Sequence, residues 1–253
     1  MIYTPHETSG AEKLIAYGMR LQSQGKTLEA YYCFKHSLIL NPNNAIALNS
    51  LGTTLYALGN KYGAIDAYKK AVLKDKKYAL PAFNVAVLYQ LTNDITNAVK
   101  YFRHTIRIRP RHLESYIRLA HCLTRLGKCT QAITAYKEAV QLHPKDISLM
   151  QEIASLSAQV FRYSDAENYF KKALLLAPVD AHIMGNLALV YKQQNKNVLA
   201  KETLIKAIRL NPTLPHLYYT LGVIYRELGD TKKSTENIDT AYALDPSLKE
   251  EYG

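Results

Sequence analysis

Prolines recur in this chain at a fixed interval. They fall at Pro42, Pro110, Pro144, Pro178, Pro212 and Pro246, and each gap is 34 residues or twice that. The one vacant place in the series holds Lys76. Self-similarity at a period of roughly 20–50 residues marks a repeat architecture, and it limits the available folds more than any bulk property does. With each Pro at position 32 of a unit, seven repeats run 11–44, 45–78, 79–112, 113–146, 147–180, 181–214 and 215–248.

Other columns align on the same frame. Position 20 is Ala30, Ala64, Ala98, Ala132, Ala166, Ala200 and Ser234. Position 24 is Phe34, Tyr68, Phe102, Tyr136, Phe170, Leu204 and Ile238. Position 27 is small in every repeat, from Ser37 to Ala241. Position 8 is always Gly or Ala, beginning with Gly18 and Gly52. Position 15 is Gly or Asn except in repeat five, where it is Phe161.

These columns resemble the tetratricopeptide repeat, a helix–turn–helix unit of 34 residues. The likeness covers 11–248 and departs at position 4, where that repeat prefers Trp and this chain has none. The resemblance implies an all-α fold, a right-handed α-solenoid of seven helix–turn–helix repeats, whose concave wall usually receives the partner.

The physics of the columns agrees. At 100° per residue, positions 4, 7, 8 and 11 form one apolar stripe, and positions 20, 24, 27 and 28 form another. Small residues at 8, 20 and 27 let backbones approach, and the large residue at 24 fills the remaining space. Gly or Asn at position 15 suits the left-handed end of a first helix. Pro at position 32 stops the second helix. Helices of about 13 residues are marginal alone, so each repeat needs its neighbours. The last helix carries Ser234, Asn237 and Thr240 where earlier ones are mostly apolar, as a terminal cap would. Residues 1–10 fit no repeat and are expected to be flexible. Residues 249–253 form a C-terminal tail that adds at most another turn of helix. Val160-Phe161-Arg162-Tyr163 is expected to form a turn unlike the others.

Three cysteines, Cys33, Cys122 and Cys129, include no CxxC pair, which argues against a disulfide framework and for a reducing compartment. No leader and no membrane-length apolar run is visible, so a cytoplasmic location is expected. Catalytic motifs are absent: there is no GxSxG, P-loop, GxGxxG or HExxH. The chain is therefore expected to be non-catalytic, without cofactor, bound metal or small-molecule substrate. His182 and His216 share position 2 of successive repeats, but no third ligand accompanies them.

The net charge is +11. The positive excess is greatest in repeats two, three and six. Lys69, Lys70 and Lys74, followed by Arg103 and Arg107, would lie on the convex side that the resemblance implies. No aromatic interleaving of the strand-binding kind accompanies them, so nucleic acid is not the expected partner.

In the resembled family, positions 2, 5, 6, 9, 12 and 13 face the concave wall, and the helical wheel sets most of them opposite the packing stripe. Ile46, Leu80, Phe83, Val87 and Ile117 are apolar residues there that stacking does not require. Contiguous apolar exposure marks binding surfaces. Beside them lie Asn49, Thr53, Asn84, Arg118, His121 and Arg125, and further along lie His182, Asn186, His216 and Tyr219. Amides can hold a peptide backbone, and Arg can hold a carboxylate. The expected partner is a protein or peptide segment with apolar anchors and some acidic character. The carboxylate clamp of chaperone-tail receptors is matched at Asn84 and Arg118 but not at Asn49, Thr53 or Glu114. Asn84 and Asn186 resemble, sparsely, the Asn ladder of the O-linked N-acetylglucosamine transferase superhelix, and no transferase domain follows within these residues.

The expected function is a protein-binding scaffold or adaptor that holds a partner in its groove. The alternatives are an assembly factor for a secretion or pilus-type apparatus, and anion or nucleic-acid binding through the basic strip. A homodimer through the array ends is left open.

Overall fold

The 34-residue period reappears as helix boundaries. The computed structural model describes residues 9–252. Among the described residues there are fifteen helices and no strand. In order they are α1 (Gly10–Ser23), α2 (Thr27–Leu40), α3 (Ala45–Ala57), α4 (Lys61–Lys74), α5 (Ala79–Leu91), α6 (Ile95–Ile108), α7 (Leu113–Arg125), α8 (Cys129–Leu142), α9 (Ile147–Gln159), α10 (Tyr163–Leu176), α11 (Ala181–Gln193), α12 (Asn197–Leu210), α13 (Pro215–Glu227), α14 (Thr231–Leu244) and α15 (Ser247–Tyr252). Every second helix starts at position 17 of its repeat and stops at position 30.

Local chemistry sets the starts. Asn44, Asn60, Asp94, Asp146, Asp180 and Asp230 each accept a backbone N–H of the first turn that follows, supplying an acceptor for an otherwise unpaired donor. Ser9 and Glu12 form a capping box on α1. The N-terminal segment expected to be flexible thus has Ser9 and Gly10 in the start of α1, while residues 1–8 lie outside the described residues. Among the described residues no helix is long and apolar enough to cross a membrane.

The chain divides between Gly127 and Lys128 into two compact halves, so the fourth repeat contributes α7 to one and α8 to the other. In the N-terminal half, α1 pairs with α2, α3 with α4 and α5 with α6, and each second helix packs on the next first helix as far as α7. Ala30, Phe34, Ala64, Ala71, Ala98 and Phe102 are completely buried. Gly52 shows why position 8 must be small: a Cβ there would lie 2.7 Å from the Tyr68 ring. The Tyr68 hydroxyl donates to Thr53 Oγ1 at 3.0 Å.

In the C-terminal half, α8 packs on α9, and the pairs α9–α10, α11–α12 and α13–α14 stack in sequence. Phe170, Ile183, Leu187, Leu204, Leu217 and Ile224 share one core. Burying each such side chain stabilises by about 1.5–3 kcal/mol. Of α14, only Ser234 and Ala241 are buried, which leaves its far face polar. Repeats five and six are also joined by charge. Glu167 accepts from Lys171 Nζ at 2.6 Å and from Lys196 Nζ at 2.9 Å. Burial alone would raise the Glu167 carboxyl, but hydrogen bonds from Lys171, Lys196 and Gln194 outweigh it and hold it down at about 2.

Candidate partner-binding site

First helices show which wall positions stay open. Position 2 is exposed in every repeat, and position 13 likewise, whereas position 5 is buried or half-buried throughout. In the N-terminal half Ile46 and Leu80 are exposed, Val87 and Ile117 half-buried. Asn49 is only 6% exposed. Its Oδ1 accepts from Asn84 Nδ2 at 3.1 Å, so the two amides tie α3 to α5. Phe83 packs edge-on against the core ring of Phe102 at 5.9 Å and against His112 at 4.9 Å. The expectation that stacking leaves position 5 free is therefore corrected. Asn49 is held by the next first helix, while Phe83 is covered from within its own repeat by α6 and His112.

The polar residues of this wall are cross-linked in the same manner. Arg118 Nε donates to Glu114 Oε1 at 2.6 Å, and Arg118 Nη1 to Gln90 Oε1 at 3.2 Å. Arg125 Nη2 donates to Asn93 Oδ1 at 2.6 Å. A carboxylate arriving at Arg118 would compete with Glu114. Thr53 is half-buried under Tyr68, and His121 is exposed on α7. Cys122, beside it, is buried, which pushes its thiol up against the opposing pull of Arg125 and Arg118.

In the C-terminal half the rings of His182 and His216 stack at 5.9 Å. Burial, then the neighbouring His182, lowers the His216 pKa. Two imidazoles are too few ligands for a zinc site of the usual kind. Tyr219 is half-buried, 6.4 Å from the ring of Tyr242. Asn186 is exposed and borders a cleft of ≈ 420 Å³ between α9 and α11. Ser155, Gln159, Leu189, Gln193 and Phe161 also line it.

Phe161 is 78% exposed and has φ 60°. Gly25, Gly59, Asn93, Gly127, Asn195 and Gly229, at the same position of the other repeats, also have positive φ, between 59° and 84°. Phe161 N donates to Ala158 O at 3.0 Å and Arg162 N to Ser157 O at 2.8 Å, matching Gly59 N to Tyr56 O and Asn60 N to Leu55 O, both at 2.9 Å. The turn expected to differ is thus the common one. Its hydrogen bonds and flanking helices impose the left-handed conformation on a bulky residue, at a cost of about 1–2 kcal/mol. Ser155 and Gln159 were not singled out by sequence. Their signal was the wall positions 9 and 13, of which only 13 stays exposed in every repeat.

Of the basic residues, Lys69, Lys70 and Lys74 are exposed on α4, where Lys70 pairs with Asp66 at 2.7 Å. Arg103 and Arg107 stand together on α6, lining a cleft with Lys76 and Lys100.

Pairs of helices of fixed length, closed by small residues and open along one face of each first helix, define a helical-repeat protein. Residues 82–112, 113–146, 181–214 and 215–248, just over half of the chain, match the family model of the tetratricopeptide repeat, and the chain belongs to that family. The family serves in general as a protein-interaction scaffold. Among solved structures, the C-terminal part of a TPR repeat-containing protein from Cytophaga hutchinsonii is similar with a TM-score of 0.70 at 17% identity, covering 92% of this chain and 95% of that one. YrrB, described as a TPR protein with an unusual peptide-binding site, is similar at a TM-score of 0.60 and 17% identity, over 72% of this chain and 94% of its own. The probable UDP-N-acetylglucosamine–peptide N-acetylglucosaminyltransferase SPINDLY of Arabidopsis thaliana is 32% identical over 82 residues, which is 32% of this chain and 9% of that protein.

Proposed function

We propose that this chain is a non-catalytic scaffold that holds a segment of a partner polypeptide against the open faces of its first helices. The observation that carries the reading is Phe161. A strained backbone conformation with the ring 78% exposed, meeting Tyr163 edge-on at 6.2 Å, costs stability and adds little burial to the stack, and such outliers concentrate at contact sites. The cleft beneath it has the composition a peptide needs. Leu189 and the Phe161 ring offer apolar contact, while Gln159, Asn186 and Gln193 offer amides that pair with a peptide backbone. Ile46 and Leu80 offer apolar contacts on the N-terminal half. The peptide-binding site named for YrrB supports a peptide as the class of ligand.

The test is selection of binders from a random-peptide library on the native chain. Their affinities are then measured by fluorescence anisotropy on Phe161→Asn and Asn186→Ala. Weakening by about tenfold or more, equivalent to 1.4 kcal/mol, is expected for Phe161→Asn. Selected peptides that bind both variants as tightly as the native chain would refute the site.

A further inference from the structure

We propose that the cleft between α4 and α6 binds a small polyphosphate anion, independently of the peptide reading. The chain supplies its own control. Between α8 and α10 the equivalent seam is lined by Val140, Gln141, Pro144, Leu175 and Leu176. Of its two prominent cations, Lys137 lies 3.6 Å from Asp165, and Lys172 lies 4.9 Å from the centre of the Tyr169 ring. Between α4 and α6 the same seam gathers Lys76, Lys100, Arg103 and Arg107. Lys100 lies 5.9 Å from the centre of the Tyr101 ring, and the difference from the control is two added cations, with no carboxylate among the lining residues. The fold therefore does not demand charge at this place.

Lys76 sharpens the contrast. It stands where the six other repeats carry Pro, so the one break in the Pro column puts a cation into this cleft. Val72, Leu73 and Tyr101 form an apolar floor, with Leu73 left 71% exposed. Arg107 Nη2 donates to His104 Nδ1 at 2.7 Å. A guanidinium can only donate, so this imidazole is neutral with its proton on Nε2. Burial and then the Arg107 charge keep it so. Arg107 is thereby anchored at the cleft by a neutral group. Two guanidinium forks and two ammonium groups around one cavity suit phosphate oxygens better than a single carboxylate. At ≈ 600 Å³ the cleft falls in the range of small-molecule sites, about 300–1,000 Å³. A ligand with several negative charges relieves the mutual repulsion of the four cations.

The experiment is isothermal titration calorimetry with adenosine triphosphate and with inorganic tripolyphosphate. It compares the native chain with Arg103→Ala/Arg107→Ala, Lys76→Pro and Lys137→Ala/Lys172→Ala. Both phosphates are expected to bind the native chain, about tenfold or more weakly to the double arginine variant. Binding weakens several-fold in Lys76→Pro and stays unchanged in the α8–α10 control. Tighter binding of the nucleotide gives the floor of Leu73 and Tyr101 a share in recognition, and equal binding assigns recognition to the phosphates alone. Either result supports the site. Lys76→Pro keeps the test informative if the arginine variant does not fold, because that turn accepts Pro in six repeats. Peptide affinity at Phe161, measured on the same variants, should not change. No heat with either phosphate, or undiminished affinity in the arginine and Lys76 variants, overturns the proposal. So does binding of oligoglutamate or a short RNA at this cleft when the small phosphates do not bind.

Discussion

At position 15 the backbone is left-handed in all seven repeats, and in six of them Gly or Asn accepts this cheaply. Phe161 does not. Replacing it with Asn, the residue at positions 93 and 195, should stabilise the fold by roughly 1 kcal/mol, because strain is relieved and the lost ring was mostly in water. Thermal unfolding monitored by circular dichroism checks this, and a lower melting temperature would show that the ring packs. Glu167 makes a second prediction at this scale. Its folded pKa, about 2, lies below the ordinary 4.5. Its contribution to stability is therefore complete above the ordinary value and is lost as pH falls towards the folded one. Glu167→Gln should destabilise the chain at neutral pH and flatten the stability profile across that window, read from urea unfolding at several pH values. The side chains that sequence misjudged were those at position 5. A helical wheel places Asn49 and Phe83 on the flank of the stripe, and it shows neither the second helix nor the next repeat. Phe83 is closed over by Phe102 and His112 of its own repeat, and Asn49 is held by Asn84 of the next.

At the scale of the element, nearly everything was legible. First-helix ends followed from position 15, second-helix ends from the Pro column, and packing from the small columns, whereas the Asn and Asp caps appear only in the structure. Gly52→Ala should cost about 1–3 kcal/mol, because the added methyl must displace the Tyr68 ring, and the Tyr68–Thr53 hydrogen bond goes with it. Chemical denaturation with an unchanged slope checks this. Lys76→Pro should act the other way. Asp75 before it is extended, with φ −136°, as a residue before Pro prefers. The variant should gain about 0.4–1 kcal/mol by restricting the unfolded chain. The basic cleft that this lysine joins was only half legible. Arg103 and Arg107 share a helix face and were seen together; Lys100 stands on the same helix, α6, and Lys76 joins them from the turn after α4.

At the scale of the whole molecule, regularity is the main fact and exceptions to it carry the functional information. Seven repeats obey one frame, so each departure can be read against six internal controls. Phe161 breaks the turn column, Lys76 breaks the Pro column, and each borders a cleft. Partner identity was not legible, since a repeated scaffold records its packing in every copy and its ligand in only a few side chains. The most direct test of the central claim is to locate a bound peptide. A selected peptide carrying a benzophenone is crosslinked to the native chain, and the adducts are mapped by mass spectrometry. The account predicts adducts at Ser155–Tyr163 and Asn186–Gln193. Adducts confined to the second helices α10 and α12 would contradict it.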